Sequence, residues 1–440
     1  MKKFFIFLFF ILLNFNYLSA LDVKEINYYK DNKAWLVNDN NLPIVAIKFA
    51  FKAGSGNDPI GKKGLASMTA SLLDEGAGNY SAKEFKKILA DNSITLNFNV
   101  SHDNFYINLY TLKENLDLSF QLLDLALTKP MFKLEEINRV KGNIKLVLEQ
   151  SYKDPGAIGS RLFREILFEG HPYQYDTLGT NEDIDNIEKK DLEIFLQNNL
   201  RIDNLYVAAS GNINENELKK YLLKYFKKFD IKNKSNSFIP KHKKKIKSEI
   251  LLHKKDLRQS SIIFAGEGIS RTDPYFYPAY VMNYILGGGG FFSRLTTEVR
   301  EKRGLVYSVY SYLYRYDKYN FFSGGAQTSN ENVNKVIKII KEELVKIKNQ
   351  GVTESELNDA KNYLINSYVL RLDSNKKVAS ILLNTQMDGL NTDFFKKRND
   401  YINSVSLEDI KVVAKKILDE NQIFFLIIGN PSNLKNINEI

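Results

Sequence analysis

The sequence predicts an α+β fold of two homologous halves, each a mixed or antiparallel sheet covered by helices. Three observations predict it. The first is an internal repeat. Asp58-Pro59 recurs as Asp273-Pro274, Glu114-Asn115 as Glu331-Asn332, and Glu136-Ile137-Asn138 as Glu356-Leu357-Asn358. Ile187, Asp191-Leu192 and Gly211-Asn212 recur as Val405, Asp409-Ile410 and Gly429-Asn430, with the offset held between 215 and 220 residues. An offset that steady marks one unit used twice. The second is that, within each unit, short apolar runs bounded by turn residues alternate with helical periodicity, the pattern of sheets packed on helices. The third is the joint, KKFDIKNKSNSFIPKHKKKIKSEI, which is charged, poor in apolar residues and reads as exposed linker. The boundaries are a leader over 1–20, a first half over 21–230, a linker over 231–250 and a second half over 251–440. Two like halves on one hinge imply a cleft between them.

At 440 residues the chain has length for a large core in more than one domain, and 44% apolar with 26% charged residues is ordinary globular composition. In the first twenty residues, Lys2 and Lys3 precede an apolar run from Phe4 to Leu13, and Ser19-Ala20 offers small residues for cleavage. That is the pattern of a secretory signal peptide, so the mature chain is expected to be exported, periplasmic or extracellular, with no membrane span after its removal. Cysteine is absent, which excludes disulfides, thiolate metal sites and a thiol nucleophile. The formal charge of +10 is carried partly by KHKKKIK (Lys241 to Lys247), a solvated run, and no nucleic-acid partner is expected.

In the first half, 42–53 (LPIVAIKFAFKA) reads as a strand, Gly54 to Pro59 as a turn, and Lys63 to Asp74 as a helix. Ile94 to Val100 and Phe105 to Thr111 alternate as a hairpin about Ser101 to Asn104, which leaves His102 a solvated turn residue. Helices follow near 115–128, 134–151, 156–169 and 188–199, and NLYVAASGN closes the half as a strand. The stretch on which function turns lies in the second half, LGGGGFFSRLTTEVREKRGLVYSVYSYLY from Leu286 to Tyr314. Four glycines, Gly287, Gly288, Gly289 and Gly290, open it. A helix is expected from about Phe292 to Arg303, stopped by Gly304 as a left-handed C-cap, and a strand follows. Arg300 in the last turn and Tyr307 on the strand then share a corner where a cation and a phenol could hold a peptide carbonyl or an oxyanion. The run lacks the Gly-Lys-Ser/Thr of a phosphate loop and the G-x-G-x-x-G of a dinucleotide site.

G-G-G-x-x-S-R-L followed by R-E-x-x-G-L-x-Y resembles the C-terminal half of the inverzincin peptidases, the family of pitrilysin, insulin-degrading enzyme and the mitochondrial processing peptidase. The resemblance covers essentially the whole mature chain, and it implies that the two halves are arranged as a clamshell that closes over a peptide. In that family an Arg and a Tyr seven residues later reach the substrate at a zinc site carried by another half, which implies those roles for Arg300 and Tyr307. The family's zinc helix carries G-x-A-H-x-x-E-H-x-x-x-x-G. Here the corresponding string is GLASMTASLLDEG, with Gly64, Ala66 and Gly76 in place. Ser67 stands at the first His, Ala70 at the Glu and Ser71 at the second His. Serine hydroxyls are poor zinc ligands and alanine is no base. Glu149 falls in the region of the third ligand, but one carboxylate holds no zinc. Asp74 and Glu75 are adjacent and so diverge around the helix. His171, His242 and His253 lie outside ligand spacing. This chain is therefore expected to bind no metal, and small residues on that helix serve close packing.

The family is often split over two chains, one with the zinc motif and one with the Arg/Tyr pair and the glycine-rich loop, and this sequence resembles the second kind. The resemblance implies a subunit inactive alone that pairs with a homologous zinc-carrying subunit as a heterodimer, with the zinc on that partner. Arg300 and Tyr307 would then act in trans in peptide hydrolysis. Gly287 to Gly290 would let backbone approach the peptide closely, or else only shape the turn. Two other classes fit less of the sequence: a peptide-binding or chaperone-like module without proteolysis, and a structural subunit of a larger complex, which has no use for the pair.

Overall fold

The computed structural model describes residues 21–230, 239–242, 246–432, 434 and 437–440. The leader over 1–20 and the linker residues 231–238 and 243–245 lie outside the described residues. The first half contributes strands β1 (Lys24–Tyr29), β2 (Asn32–Asn38), β3 (Ile44–Phe51), the short pair β4 (Gly76–Ala77) and β5 (Tyr80–Ser81), β6 (Thr95–Val100), β7 (Phe105–Leu112) and β8 (Leu205–Gly211). The second contributes β9 (Ile250–Lys254), β10 (Gln259–Glu267), β11 (Val306–Tyr316), β12 (Tyr319–Ser329), β13 (Phe424–Gly429) and β14 (Asn438–Glu439).

The duplication is visible in the topology. One six-stranded sheet runs β1-β2-β8-β3-β7-β6 and the other, read in the same sense, β14-β9-β13-β10-β12-β11. In both, the second and third strands are parallel and the pairs that follow are antiparallel. The outermost strand differs: β1 runs antiparallel to β2, whereas β14, from the chain's end, runs parallel to β9. Repeated residues do repeated work. The Asp191 carboxylate accepts the Glu188 backbone N–H at 2.8 Å, and Asp409 accepts that of Ser406 at 2.9 Å, each closing the start of an equivalent helix. At Gly211 (φ +119°) a Cβ would stand 2.1 Å from the Ile44 carbonyl, and at Gly429 2.2 Å from Ser260 Oγ, so both strands end where only glycine fits.

Each half has its own core between the outer sheet face and its helices. The inner faces are covered by exchange. Helix Pro155–Leu167 of the first half lays Ile158 and Phe163 on the second sheet, against Phe321, Phe424, Leu426 and Ile428. Helix Asn375–Met387 of the second half lays Val378, Leu382 and Leu383 on the first, against Trp35, Ala50 and Ala208. Each fully buried side chain of this size contributes roughly 1.5–3 kcal/mol, so two apolar patches lock the halves of the clamshell together along their seam. The hairpin turns also meet: Asp103 accepts the Asp317 N–H at 3.1 Å and the Tyr173 hydroxyl.

Two local expectations are corrected. His102 is buried, not solvated: Nε2 is 3.0 Å from the Tyr175 carbonyl oxygen and its ring packs on Tyr173 and Tyr316. Burial lowers its basicity. The linker is not wholly exposed either, because Ile239 and Ile246 are buried in the seam and the Pro240 carbonyl meets His171 Nε2 at 2.8 Å. Sparse apolar residues among lysines are sufficient to anchor it.

Candidate functional site

The glycine run does not open the stretch as a free loop. Helix Phe276–Asn283 continues through one wide π-type turn, Tyr284–Gly288, so Gly287 and Gly288 end the preceding helix. Gly287 is buried against β11, where a Cβ would stand 2.5 Å from Ser311 Oγ and 2.7 Å from its N. Asn283 ties the same junction, donating to the Ser311 carbonyl at 3.2 Å and accepting from its hydroxyl at 2.8 Å. Gly290 turns the chain at φ +57° with open space around it. Gly288 and Gly290 are exposed and Gly289 half-buried.

The next helix starts at Arg294 rather than near Phe292, because Phe291 and Phe292 belong to the tight turn Gly290–Phe292. Ser293 seats its first turn, its Oγ donating to the Gly290 carbonyl at 2.8 Å. Arg294 fixes the helix from outside through a bidentate pair with Glu356, at 2.6 and 2.7 Å. Thr296–Glu301 is again π-type, and Gly304 (φ +59°) ends it, its N–H donating to the Arg300 carbonyl at 2.8 Å. β11 then begins with a bulge between Val306 and Val309, which turns Tyr307 and Ser308 outward together.

Arg300 and Tyr307 are thereby brought together. The Arg300 guanidinium carbon lies 5.5 Å from the Tyr307 ring centroid and 4.7 Å from that of Phe291, and Tyr307 is 86% exposed. Phe291 and Phe292 are exposed too, as are Tyr310, Tyr312 and Tyr314 along β11, an edge strand. Motif spacing alone does not find these five aromatic residues. The alternation of tyrosine at 310, 312 and 314 is the signal that could, since the β6 positions equivalent to Tyr310 and Tyr312 carry Asn97 and Asn99.

The first-half helix Leu65–Leu72 presents quite different chemistry. Ser67 is buried and donates to the Thr177 carbonyl at 2.6 Å, Ala70 is buried, and Ser71 donates back to the Ser67 carbonyl at 2.9 Å. Glu75 is held by Lys86 and Arg139, each at 2.6 Å, and burial raises the pKa of Asp74. Glu149 is exposed on helix Leu134–Ser151. Among the described residues, no three His, Cys, Asp or Glu side chains cluster closely enough to hold a metal ion. The helix is capped by Asp58, whose carboxylate accepts the Gly64 and Ala66 N–H groups at 3.0 Å each.

Residues 33–181 match the family model of insulinase, peptidase family M16, and residues 186–364 match that of the peptidase M16 inactive domain. The chain belongs to peptidase family M16. A relative, the non-peptidase homolog YmxG of Helicobacter pylori, is 29% identical over 422 residues, covering 94% of this chain and 95% of its own. The zinc protease PqqE of the same organism is 25% identical, covering 87% of each. In fold, the crystal structure of a peptidase M16 inactive domain from Pseudomonas fluorescens matches with a TM-score of 0.88 at 24% identity, over 95% of this chain and 100% of the other. This M16 chain thus shares the fold of that inactive-domain protein over nearly its whole length. Among the described residues, no helix is long and apolar enough to cross a membrane.

Proposed function

We propose that the chain is the non-catalytic subunit of an exported two-chain zinc metallopeptidase, supplying Arg300, Tyr307 and the Gly287–Gly290 turn to a homologous partner that carries the zinc. One observation carries the reading: an exposed phenol with a guanidinium stacked on it, on a fold whose own ligand positions hold Ser67, Ala70 and Ser71. The partner's zinc would polarise the scissile carbonyl and activate water. Tyr307 donates a hydrogen bond to the developing oxyanion or the neighbouring peptide carbonyl, and Arg300 holds the ring in place or meets a substrate carboxylate. The aromatic row of β11 accepts extended peptide, since an edge strand offers unpaired backbone groups. Two relatives from one organism, one named a non-peptidase homolog and one a zinc protease, support a division of labour between chains.

The test is reconstitution. Purified alone, the chain is expected to carry no zinc by elemental analysis and to hydrolyse no peptide. Joined to a co-purifying zinc peptidase, it is expected to raise turnover, and Tyr307→Phe to lower that turnover on the order of 10²-fold without loss of assembly. Stoichiometric zinc with hydrolysis by the lone chain overturns the reading.

A further inference from the structure

The two flanks of the seam between the halves are equivalent by repeat but filled differently. Pairing outward from Gly211 and Gly429, the ends of equivalent strands, sets Phe105 level with Phe322 and Val100 with Leu313, so Arg315, two residues on, stands where the first half has His102. Arg271 likewise stands at Gly56, two residues before the repeated Asp-Pro. The exchanged helices align Asp388 with Phe168, whose N–H groups close the same turn, to Asn384 at 2.9 Å and Arg164 at 2.8 Å. On the first flank, chain fills the space. A Cβ on Gly56 would be 2.7 Å from Ile239 Cδ1, and the His242 ring lies 5.2 Å from that of Phe168. On the second flank the equivalent place is a cleft of about 440 Å³ lined by residues of both halves, a size typical of small-ligand sites.

The chemistry of that cleft is unbalanced. Arg315 and Arg271 share a single carboxylate, Asp388, at 2.6 and 3.5 Å. Two further carboxylates in the lining are engaged elsewhere: Asp317 pairs with Lys52 at 3.1 Å, and Asp103 accepts the Tyr173 hydroxyl and the Asp317 N–H. Asn104, only 4% exposed, lines the same cleft, and its Oδ1 has no hydrogen-bond partner. A buried acceptor without a donor is costly, and two guanidiniums over one carboxylate leave a positive charge suited to a second carboxylate.

We propose that this cleft binds the C-terminal carboxylate of an extended peptide, with Arg271 and Arg315 holding the carboxylate and Asn104 Oδ1 accepting a peptide N–H. The occupant mirrors the Ile239–His242 segment that fills the other flank, with charge exchanged for apolar contact. The site is independent of the Arg300–Tyr307 corner, which lies at the opposite end of β11 from Arg315.

Calorimetric titration of the purified full chain with Ala-Ala-Ala, with its C-terminal amide and with acetate tests this. The free acid is expected to bind, the amide to bind at least about tenfold more weakly, and acetate more weakly still. Arg315→Gln, at a side chain 35% exposed, is expected to cost the tripeptide about tenfold in affinity while the melting temperature stays unchanged. Tyr307→Phe is expected to leave this binding intact. Absence of tripeptide binding, equal binding of acid and amide, or an unaffected Arg315→Gln overturns the site. Acetate binding as tightly as the tripeptide overturns its assignment to a peptide.

Discussion

The Arg300 guanidinium carbon lies 5.5 Å from the centre of the Tyr307 ring and 4.7 Å from that of Phe291. An exposed cation–π contact of this kind contributes only about 0.5–1 kcal/mol. Arg300→Ala is therefore expected to lower the stability of the isolated chain by less than about 1 kcal/mol, yet to reduce kcat/KM of the reconstituted peptidase on the order of 10²-fold. Chemical denaturation beside steady-state kinetics separates the two quantities. A stability loss with unchanged kinetics would make the stack a purely structural contact.

Gly287 and Gly290 should respond differently although they belong to one run. A Cβ at Gly287 meets Ser311 Oγ at 2.5 Å and Ser311 N at 2.7 Å, and backbone cannot yield there as a side-chain tip can. Gly287→Ala is expected to cost about 1–3 kcal/mol by overpacking. Gly290 has open space, so Gly290→Ala carries only the left-handed backbone penalty, about 1 kcal/mol. Urea denaturation of both variants checks the order, and equal losses would mean that the junction with β11 relaxes freely.

Much of the fold is legible in the sequence because the repeat is written in residues with local jobs. Asp191 and Asp409 are caps, and Gly211 and Gly429 are places where a neighbouring strand leaves no room for a side chain. Gly304 is readable for the same reason, since its left-handed φ is a local demand. The exchange of helices is not legible. Ile158 and Phe163 mark an apolar face, but nothing near them in sequence says that the sheet they cover is built from residues far along the chain, in the other half, and patterning reports only that a face is buried. His102 departs from expectation for that reason: a hairpin turn is normally solvated, and the second half's Tyr316 and the distant Tyr173 and Tyr175 bury it. Spacing anticipates that Arg300 and Tyr307 share a corner, and the structure brings them together. Spacing does not find Phe291, whose contact with Arg300 depends on where the turn Gly290–Phe292 ends and the helix begins.

The exchanged helices make the halves one cooperative unit. Phe163 packs on Phe321 and Phe424 with ring centres 5.5 and 5.7 Å apart, and these belong to the opposite half. Phe163→Ala is expected to cost about 3–5 kcal/mol and to lower a single calorimetric transition for the whole chain. Hydrogen exchange should then rise in both sheets together. Two separate transitions, with only the second sheet affected, would show that the halves fold independently despite the seam.

Asp58 gives the chain a pH dependence of unusual sign. Burial pushes its carboxyl up from the ordinary 3.8 to about 7, although the Gly64 and Ala66 N–H groups favour the charged form. With the folded value above the unfolded one, the folded chain holds the extra proton between about pH 4 and pH 7, where the unfolded chain has lost it. The stability contributed by this group is thus fully present below about pH 4 and lost as pH rises through 7. Asp58→Asn keeps one acceptor for the helix and removes the titration. The advantage of the native chain over the Asp58→Asn variant in urea denaturation is therefore expected to be larger at pH 4.5 than at pH 8. A constant advantage across that range would mean that the two backbone N–H groups hold the carboxylate ionised throughout, and that Asp58 is simply a strong helix cap.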